Sequence, residues 1–506
     1  MNAADAQLVL ELYKNDWIQV LVTTAELCWE LELAAHLVIV MDTCFYDGKE
    51  HRHVDYPIVD ILQMIGFASR SPKYGSGKVV VMAHTSRKAY LNKFLFDPLP
   101  VESSLHLHLG DPLLAAVVSH TVGSMQDAME WLTWFFFYRR LPQNPNYYGL
   151  AGVSDTQLSE FVSVLTENTV DELAKAGAVE CSEEGVLSPL NMGVLSTHLY
   201  IQYHTTELFA LSITAKAKRR GLLQILASAN EFEKLPIRQH EQLLLERMEK
   251  RLTYVLENAT LTARKVNVLL QTHFSREPVP ADLHRDALEV LPTAVRLLHG
   301  MVNVCSSSMW LKPAIAAIEL CQMVVQGQWN EDSRLLQLPH FDKDRARAFE
   351  NEGVDDVFAF LEMEDDARKA LLEGLSEKEV EDIVMWCNDY PDIEVTPTLA
   401  SASVKPGEDG VLSVELSAGE DGFSTQVRSN VYPQECKQTW WLILGDPEDN
   451  SIHSIVEVDL DRGNKKTLQF TAPAAEGHYK WMLYFMTDAY IGCDQEQEIE
   501  FDVVNA

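Results

Sequence analysis

The sequence lacks the features that mark membrane-spanning, secreted and zinc-binding proteins. No apolar run approaches the roughly 18 residues that a membrane helix needs, and the most hydrophobic runs, at residues 33–41 and 131–138, are short. Residues 1–7 are polar, with no basic region before an apolar one, and predict no secretory signal. The eight cysteines include no CxxC pair and none has a histidine at zinc-ligand spacing, so we expect reduced thiols and no metal site.

Basic side chains are also scarce. Lys and Arg number 41 against 75 Asp and Glu, a net charge of −34, and a field of that sign repels phosphate backbones and anionic membranes. This charge balance is compatible with a local basic groove, but it argues against a protein that binds nucleic acids nonspecifically by itself. Apolar residues make up 47%, which excludes whole-chain disorder, and 506 residues predict about three to five domains.

The N-terminal region reads as part of an α/β domain. Apolar, β-branched runs at 17–22, 37–41 and 78–82 predict strands, and helical patterns lie between them at 24–33 and 59–66. A doubly wound sheet normally contains more strands than this. We therefore expect the chain to begin inside such a domain.

The remainder predicts a multidomain α+β protein with four further parts. Helical patterns followed by an alternating stretch at 177–187 indicate a winged helix, and the next region is almost wholly helical. Pro292 lies within one of its helices and should start, kink or end it. The predicted parts are a partial α/β domain at 1–100, a winged helix at 101–190, a helical bundle at 191–335, two or three short acidic helices at 336–392, and an all-β sandwich of immunoglobulin-like size at 393–506.

The sequence contains no complete catalytic motif. Residues 74–78 hold a Gly-Lys pair, but Val79 replaces the Ser or Thr of a phosphate-binding loop and a strand follows where a helix is required. No Asp-Glu-x-His or Asp-Glu-x-Asp box is present, so we predict that the chain hydrolyses no nucleotide by itself. The pairs His51/His53 and His106/His108 have no acidic or thiol partner at ligand spacing.

Residues 63–70, Gln-Met-Ile-Gly-Phe-Ala-Ser-Arg, resemble the sixth motif of superfamily-two helicases, Gln-x-x-Gly-Arg-x-Gly-Arg. In that family two arginines of the motif reach the phosphates of ATP. Gln63, Gly66 and Arg70 match the motif, whereas Phe67 and Ser69 depart from it. The resemblance implies a vestigial nucleotide-facing site at Gln63, Gly66 and Arg70; the alternative is a solvated helix end. Upstream segments 18–30 and 33–43 resemble the fifth motif, with Glu30 in place of its glycine.

Motifs along the whole chain indicate a more specific family within the superfamily-two helicases. Together they resemble the C-terminal cassette of the two-cassette spliceosomal DExH-box RNA helicases of the tri-snRNP. The resemblance implies the end of a second RecA-like domain, a winged helix, and a Sec-sixty-three-type unit of helical bundle, helix-loop-helix and immunoglobulin-like domain. The paralogous activating signal cointegrator helicase is a related alternative. The motifs lie at 60–66, 94–103, 138–140, 144–148, 236–238, 338–341 and 484–496.

Two groups of side chains are candidate binding sites for RNA. Lys216, Lys218, Arg219 and Arg220 form the strongest basic cluster, which would line an RNA channel or simply form a solvated helix face. The helix at 280–301 resembles the ratchet helix of the family, and Arg285, Arg296 and His299 are spaced for roughly one face. Acidic and apolar neighbours dilute this charge, so we expect RNA binding to be weak or absent.

A protein interface is predicted in the C-terminal third. Carboxylates crowd residues 342–381, among them Asp365 and Asp366, and suit basic protein segments. Neighbours in a strand alternate, so one of Trp440 and Trp441 should be buried and the other exposed as an interface anchor. The alternative is a solvated acidic face with both tryptophans in the core.

The family resemblance implies a poor or dead ATPase cassette that regulates the active cassette and docks proteins. We therefore predict a nuclear, noncatalytic scaffold whose partners are spliceosomal proteins and the N-terminal cassette. ATP and magnesium would belong only to the complete parent cassette, so this chain would have no cofactor and no enzymatic activity of its own. The competing hypothesis is an RNA-engaging motor segment of an ATP-dependent helicase.

Overall fold

The computed structural model describes residues 3–29, 31–68, 76–96, 101–256, 258–401, 403–418, 426–460 and 465–504. The chain divides into two compact units. The first comprises Met1–Ser104 with Leu235–Met248, and the second comprises Leu105–Lys234 with Glu249–Ala506.

The first unit contains the predicted parallel strands. Strand β1 pairs with β4 in parallel, Leu37 opposite Lys78, and helix α2 lies between them in sequence. A hairpin of β2 and β3, which the sequence analysis did not predict, separates β1 from α2. The elements are α1 (Ala3–Lys14), β1 (Leu37–Val40), β2 (Cys44–Asp47), β3 (Arg52–Asp55), α2 (Ile58–Gly66), β4 (Lys78–Val81) and α3 (Lys88–Phe96).

Two predictions for this unit are wrong. Residues 17–22 form no strand, and Trp17 and Val22 are about four-fifths exposed at 80% and 82%. A parallel strand requires a hydrogen-bonded neighbour, and β1 pairs only with β4 in the described sheet. Over residues 24–29 and 31–33, where a helix was expected, the structure has one short 3₁₀ turn at Ala25–Cys28.

The second unit opens with four helices followed by a small hairpin, so the predicted order of helices before hairpin is present. Helix α7 begins with a capping box in which the Ser154 hydroxyl and the Gln157 side chain each bond the other residue's backbone. Leu113, Leu132 and Phe137 are buried in its apolar core. The elements are α4 (Gly110–Val118), α5 (Met125–Thr133), α6 (Phe136–Arg140), α7 (Asp155–Lys175), β5 (Val179–Cys181) and β6 (Leu187–Pro189).

Seven helices follow along the chain in the described part of residues 191–335, and one of them, α11, lies almost wholly in the first compact unit. The longest, α13, runs without interruption past Pro292, so the expectation that this proline starts or ends the helix is wrong. Buried residues on both sides of Pro292, such as Leu291 and Ala294, hold the helix in the core despite the missing N–H. The helices are α8 (Asn191–Leu199), α9 (Tyr203–Ser212), α10 (Arg219–Ala227), α11 (Glu241–Glu249), α12 (Leu261–Phe274), α13 (Ala281–Ser307) and α14 (Leu311–Gln326).

The acidic region contains four short helices rather than the two or three expected. Side chains of Asp342, Asp356 and Ser376 cap three of them, so several polar residues here satisfy helix N-termini. The helices are α15 (Lys343–Asn351), α16 (Val357–Glu362), α17 (Asp365–Leu371) and α18 (Glu377–Asn388).

The C-terminal strands form a sandwich of two sheets. One sheet has the order β11-β10-β13-β14-β8 and the other β12-β9-β7. Their inner faces share one apolar core with helices α15, α16 and α18, so the short helices and the sandwich are a single packed body. The strands are β7 (Ile393–Leu399), β8 (Ser403–Val404), β9 (Asp409–Ala418), β10 (Trp440–Asp446), β11 (Ser451–Val458), β12 (Lys465–Thr471), β13 (Gly477–Thr487) and β14 (Gln495–Val503).

A buried ion pair joins two helices of the bundle. Lys265 Nζ on α12 lies 2.6 Å from an Asp286 carboxylate oxygen on α13, and the two side chains are 0% and 5% exposed. Charges this deep are tolerated because each is paired, and removing one partner leaves the other without compensation.

We expect Lys265→Met to lower the free energy of unfolding by about 3–5 kcal/mol, because the Asp286 carboxylate stays buried without its ammonium. The double variant Lys265→Met/Asp286→Leu should recover most of that loss. Urea denaturation followed by helical circular dichroism measures both. Equal losses in the single and double variants would contradict the prediction.

Candidate functional site

The residues that resemble the sixth helicase motif are tied into local packing. The Gln63 side-chain amide donates to the Cys28 carbonyl at 3.2 Å and links α2 to the 3₁₀ turn. One residue along, the Trp29 indole N–H donates to the Asp60 carboxylate at 3.0 Å. A β-carbon added at Gly66 would meet no described atom within 4 Å. Glu30, Ser69 and Arg70 lie outside the described residues.

The described residues around Lys78 do not fit a nucleotide phosphate. A β-carbon on Gly77 would lie 2.2 Å from the Ala68 carbonyl oxygen, so this glycine permits a close backbone approach. Lys78 itself begins strand β4 and pairs with Leu37. A phosphate cradle instead requires backbone N–H groups at the start of a helix.

The basic cluster divides into engaged and exposed members. Arg219 lies 3.5 Å from Glu319 and 2.9 Å from Glu331, and the Arg220 guanidinium stands 5.9 Å from the centre of the Tyr254 ring. Lys216 and Lys218 are exposed. Arg219 is therefore held by ion pairs inside the unit, whereas Lys216, Lys218 and Arg220 are exposed on its surface.

On α13, Arg296 is exposed and Arg285 is half-buried, but His299 faces the sandwich. Its Nε2 lies 2.9 Å from the Asp488 carboxylate. Burial disfavours the charged imidazole, yet hydrogen bonds to Asp488 and Cys321 outweigh it and hold the pKa of His299 well above its usual value. The third cation expected on this face is thus an interdomain contact.

The acidic helices carry seventeen Asp and Glu against six Lys and Arg over residues 338–392. Some of these carboxylates cap helices, and Asp382 binds the His340 ring at 2.9 Å. Asp366 is exposed on α17, together with Glu362 and Glu364 nearby. The Asp365 side chain lies outside the described part. A solvent-facing acidic surface therefore remains after the structural carboxylates are set aside.

The prediction of one exposed tryptophan is wrong. Trp440 is 1% exposed and stacks on Phe485 with ring centres 4.3 Å apart. Trp441 points to the other face, yet it is only 3% exposed, and the His299 ring lies 6.1 Å from it. Alternation does place the two rings on opposite faces, but bundle side chains cover the outer face.

The motif at 484–496 covers the end of β13, the loop 488–494 and the start of β14, and the bundle holds this segment by polar contacts. On α14, the Gln322 side chain donates to the Thr487 carbonyl at 2.8 Å and to the Asp494 carboxylate at 2.8 Å. Gln326, one turn later, donates to the Ala489 carbonyl at 2.7 Å. This assigns the motif to internal docking of the sandwich.

Gln337 adds a further polar contact to the same segment, and we call the contacts of Gln322, Gln326 and Gln337 with residues 487–494 the polar junction. Its amide donates to the Ile491 carbonyl and its oxygen accepts from the Ile491 N–H, each at 2.8 Å. The sequence analysis missed Gln322, Gln326 and Gln337. The signal in the sequence for the first two was a pair of glutamines four residues apart in a largely apolar helix, since a polar side chain in a core needs a specific partner.

Comparisons with known proteins place this architecture in a family. A model described as the Sec63 Brl domain matches residues 189–500, and a winged helix-turn-helix model matches residues 102–183. The chain belongs to the Sec63 Brl family. The polar junction between α14 and the 484–496 segment lies wholly within the matched Sec63 Brl region.

Full-length similarity extends to larger helicases. The chain is 42% identical to the U5 small nuclear ribonucleoprotein 200 kDa helicase of Mus musculus, over 100% of this chain and 24% of that protein. It is 44% identical to the DExH-box ATP-dependent RNA helicase DExH12 of Arabidopsis thaliana, over 99% and 24%. An activating signal cointegrator 1 complex subunit 3-like protein of Dictyostelium discoideum is 38% identical, over 99% and 23%.

The chain thus spans about a quarter of the length of these relatives. The region matched in the U5 helicase is its C-terminal cassette, as the sequence motifs predicted. Over the described residues of this Sec63 Brl protein, no group of three or more His, Cys, Asp and Glu side chains is arranged to hold a metal ion. No described helix is long and apolar enough to cross a bilayer.

The junction contains a carboxyl group whose ionisation opposes folding. Burial raises the pKa of Asp494 to about 7, although hydrogen bonds from Gln322 and the Thr487 N–H favour the charged form. The folded state therefore binds more protons than the unfolded chain between about pH 4 and pH 7, and stability falls as pH rises through that window.

We expect Asp494→Asn to remove this pH dependence. Relative to the variant, the wild-type protein should lose about 1.4 kcal/mol of unfolding free energy per pH unit up to about pH 7, with little further change above it. Urea midpoints of both proteins at several pH values test this. A wild-type-to-variant difference that stays constant with pH would contradict it.

Proposed function

We propose that this chain is a noncatalytic, protein-binding portion of a spliceosomal RNA helicase that regulates the active cassette of its parent during small nuclear RNA unwinding. The observation that carries the proposal is the acidic surface of α15–α18. These helices share one core with the sandwich, so their exposed carboxylates form a stable surface. Such a surface favours basic protein segments and repels RNA.

The proposal includes a finer division of the chain. Residues 1–100 are the end of a second RecA-like domain, 101–190 a winged helix, 191–335 a helical bundle, 336–392 a helix-loop-helix and 393–506 an immunoglobulin-like sandwich. The two parallel strands of the first unit and the two-sheet sandwich support the first and last assignments. Partners are spliceosomal proteins and the N-terminal cassette of the parent, and the compartment is the nucleus.

The chain is proposed to bind no ATP by itself. The absence of a complete phosphate-binding loop in the sequence and the close packing at Gly77 support this assignment. ATP and magnesium would act in the complete parent cassette only.

We expect the purified chain to show no ATP hydrolysis, with or without RNA, because its sequence contains neither a complete phosphate-binding loop nor a carboxylate box for magnesium. Phosphate release is measured for the wild type and for Lys78→Ala. Turnover in the wild type that disappears in Lys78→Ala would contradict the proposal.

Charge reversal tests the proposed protein surface. We expect the full chain to retain spliceosomal proteins from nuclear extract, and Asp365→Lys/Asp366→Lys to weaken that retention several-fold because basic partners lose their counter-charges. The full chain is used because removing 336–506 would expose the polar junction with α14. Recovered proteins are quantified by mass spectrometry.

A matched control reverses two exposed charges elsewhere. Glu180→Lys/Glu183→Lys changes the net charge equally on the β5–β6 hairpin and should leave retention unchanged. Equal loss in both double variants would indicate a general charge effect and contradict the assigned surface.

The second candidate function is an RNA-engaging motor segment. The exposed side chains of Lys216, Lys218 and Arg296 favour it. RNA recovered at physiological salt, lost on Lys216→Ala/Lys218→Ala and accompanied by no retained protein, would replace the scaffold proposal with this one.

A further inference from the structure

A pocket lies at the start of the acidic helices, where they meet the sandwich. It has a volume of about 410 Å³ and is lined on one side by Pro339, Met385 and Trp386. Its polar lining includes His340, Asp382 and Arg428. This volume falls within the range of about 300–1,000 Å³ typical of binding pockets, and the mixture of apolar walls with a few polar groups is also typical.

The backbone at the pocket mouth is held in an unusual conformation. His340 has a φ of 61°, in the left-handed region that non-glycine residues rarely adopt. Its ring binds Asp382 at 2.9 Å, and its carbonyl oxygen accepts from the Arg345 guanidinium at 2.9 Å. These contacts fix the imidazole and the Asp382 carboxylate at the rim.

The positive charge in the pocket is already compensated. Arg428 is paired with Asp389 through its Nε, and its carbonyl oxygen accepts from the Trp386 indole at 3.0 Å. The adjoining surface of α18 contributes Glu381, which is exposed, and Asp382. The region around the mouth therefore favours a cation over an anion.

Apolar surface continues outside the pocket along α18. Met385 is 42% exposed and its neighbour Val384 is 51% exposed, and Glu381 lies one turn before both. Scattered exposed apolar residues are ordinary, but here they adjoin a pocket and are flanked by carboxylates. Methionine also adapts its shape to different partners. Val384 does not line the pocket, so the apolar surface extends beyond the pocket itself.

We propose that this pocket binds a short peptide segment of a protein partner in which apolar and basic side chains alternate. An apolar side chain enters between Pro339, Met385 and Trp386, and flanking Lys or Arg side chains pair with Glu381 and Asp382. Charge complementarity favours this occupant, because residues 338–392 around the pocket contain seventeen acidic and only six basic side chains. The inference rests on the proposed scaffold function and names the chemistry of one partner.

The test measures binding of synthetic peptides to the full chain by fluorescence anisotropy. The probe is a fluorescein-labelled peptide of alternating lysine and leucine. Two comparison peptides replace leucine by serine or lysine by glutamate. We expect the lysine–leucine peptide to bind and the other two to bind at least about tenfold more weakly. Equal or tighter binding of the glutamate–leucine peptide would overturn the proposal.

Surface variants locate the site. Met385→Glu should weaken lysine–leucine binding by about tenfold or more, because a charged side chain then occupies the apolar wall. The matched control is Val164→Glu on α7, where a valine that is 50% exposed also lies among glutamates. It should bind the peptide as the wild type does. Equal loss in both variants, or no loss in either, would overturn the proposal.

A second variant, Glu381→Lys, tests the same site by charge and can be measured even if Met385→Glu fails to fold. This exposed position should tolerate the change, and the variant should bind the peptide more weakly and with less dependence on salt. Unchanged affinity and salt dependence would overturn the pairing.

The outcomes separate this inference from the scaffold function. Peptide binding that is lost in Met385→Glu supports the pocket even if the chain retains no spliceosomal protein, a result that would contradict the scaffold. Retention of spliceosomal proteins together with a peptide that binds wild type and Met385→Glu alike would uphold the scaffold and overturn the pocket.

Discussion

The buried loop between β13 and β14 sets the constraint on which the second unit depends. Its backbone N–H and C=O groups are removed from water and must find partners, because each one left unpaired costs free energy. Gln322 and Gln326 from α14 and Gln337 supply those partners. The need to satisfy this loop fixes the sandwich against the bundle, and the coverage of Trp441 and the pairing of His299 with Asp488 accompany that arrangement.

The same packing explains why the acidic helices form one body with the strands. Trp386 stacks near Tyr390, and both rings contact Tyr490 of the buried loop, with ring centres 5.3–5.6 Å apart. A surface built on such a core moves as a unit with it. The carboxylates and the pocket at Met385 therefore lie on a fixed core. This lowers the conformational-entropy cost of ordering this surface when a partner binds.

Several motifs associated with chemistry in helicases serve packing in the described residues. Gln63 bonds a turn backbone, Gly77 permits close approach to Ala68, and Arg219 forms ion pairs with two glutamates. Membership of the Sec63 Brl family and similarity to helicase cassettes are compatible with these roles. A motif of this kind can thus reflect packing within the protein as readily as a ligand contact.

Sequence periodicity alone determined the strands β1 and β4, the long helix α7 and the small hairpin after it. These depend on local patterns of apolar and special residues. Tertiary structure alone decided that residues 17–22 are not a strand, that α13 continues past Pro292, and that both Trp440 and Trp441 are buried. Alternation in a strand specifies two faces, but only the packed neighbours determine whether protein or water covers each. The glutamine junction and the pocket at Met385 likewise arise from segments far apart in sequence.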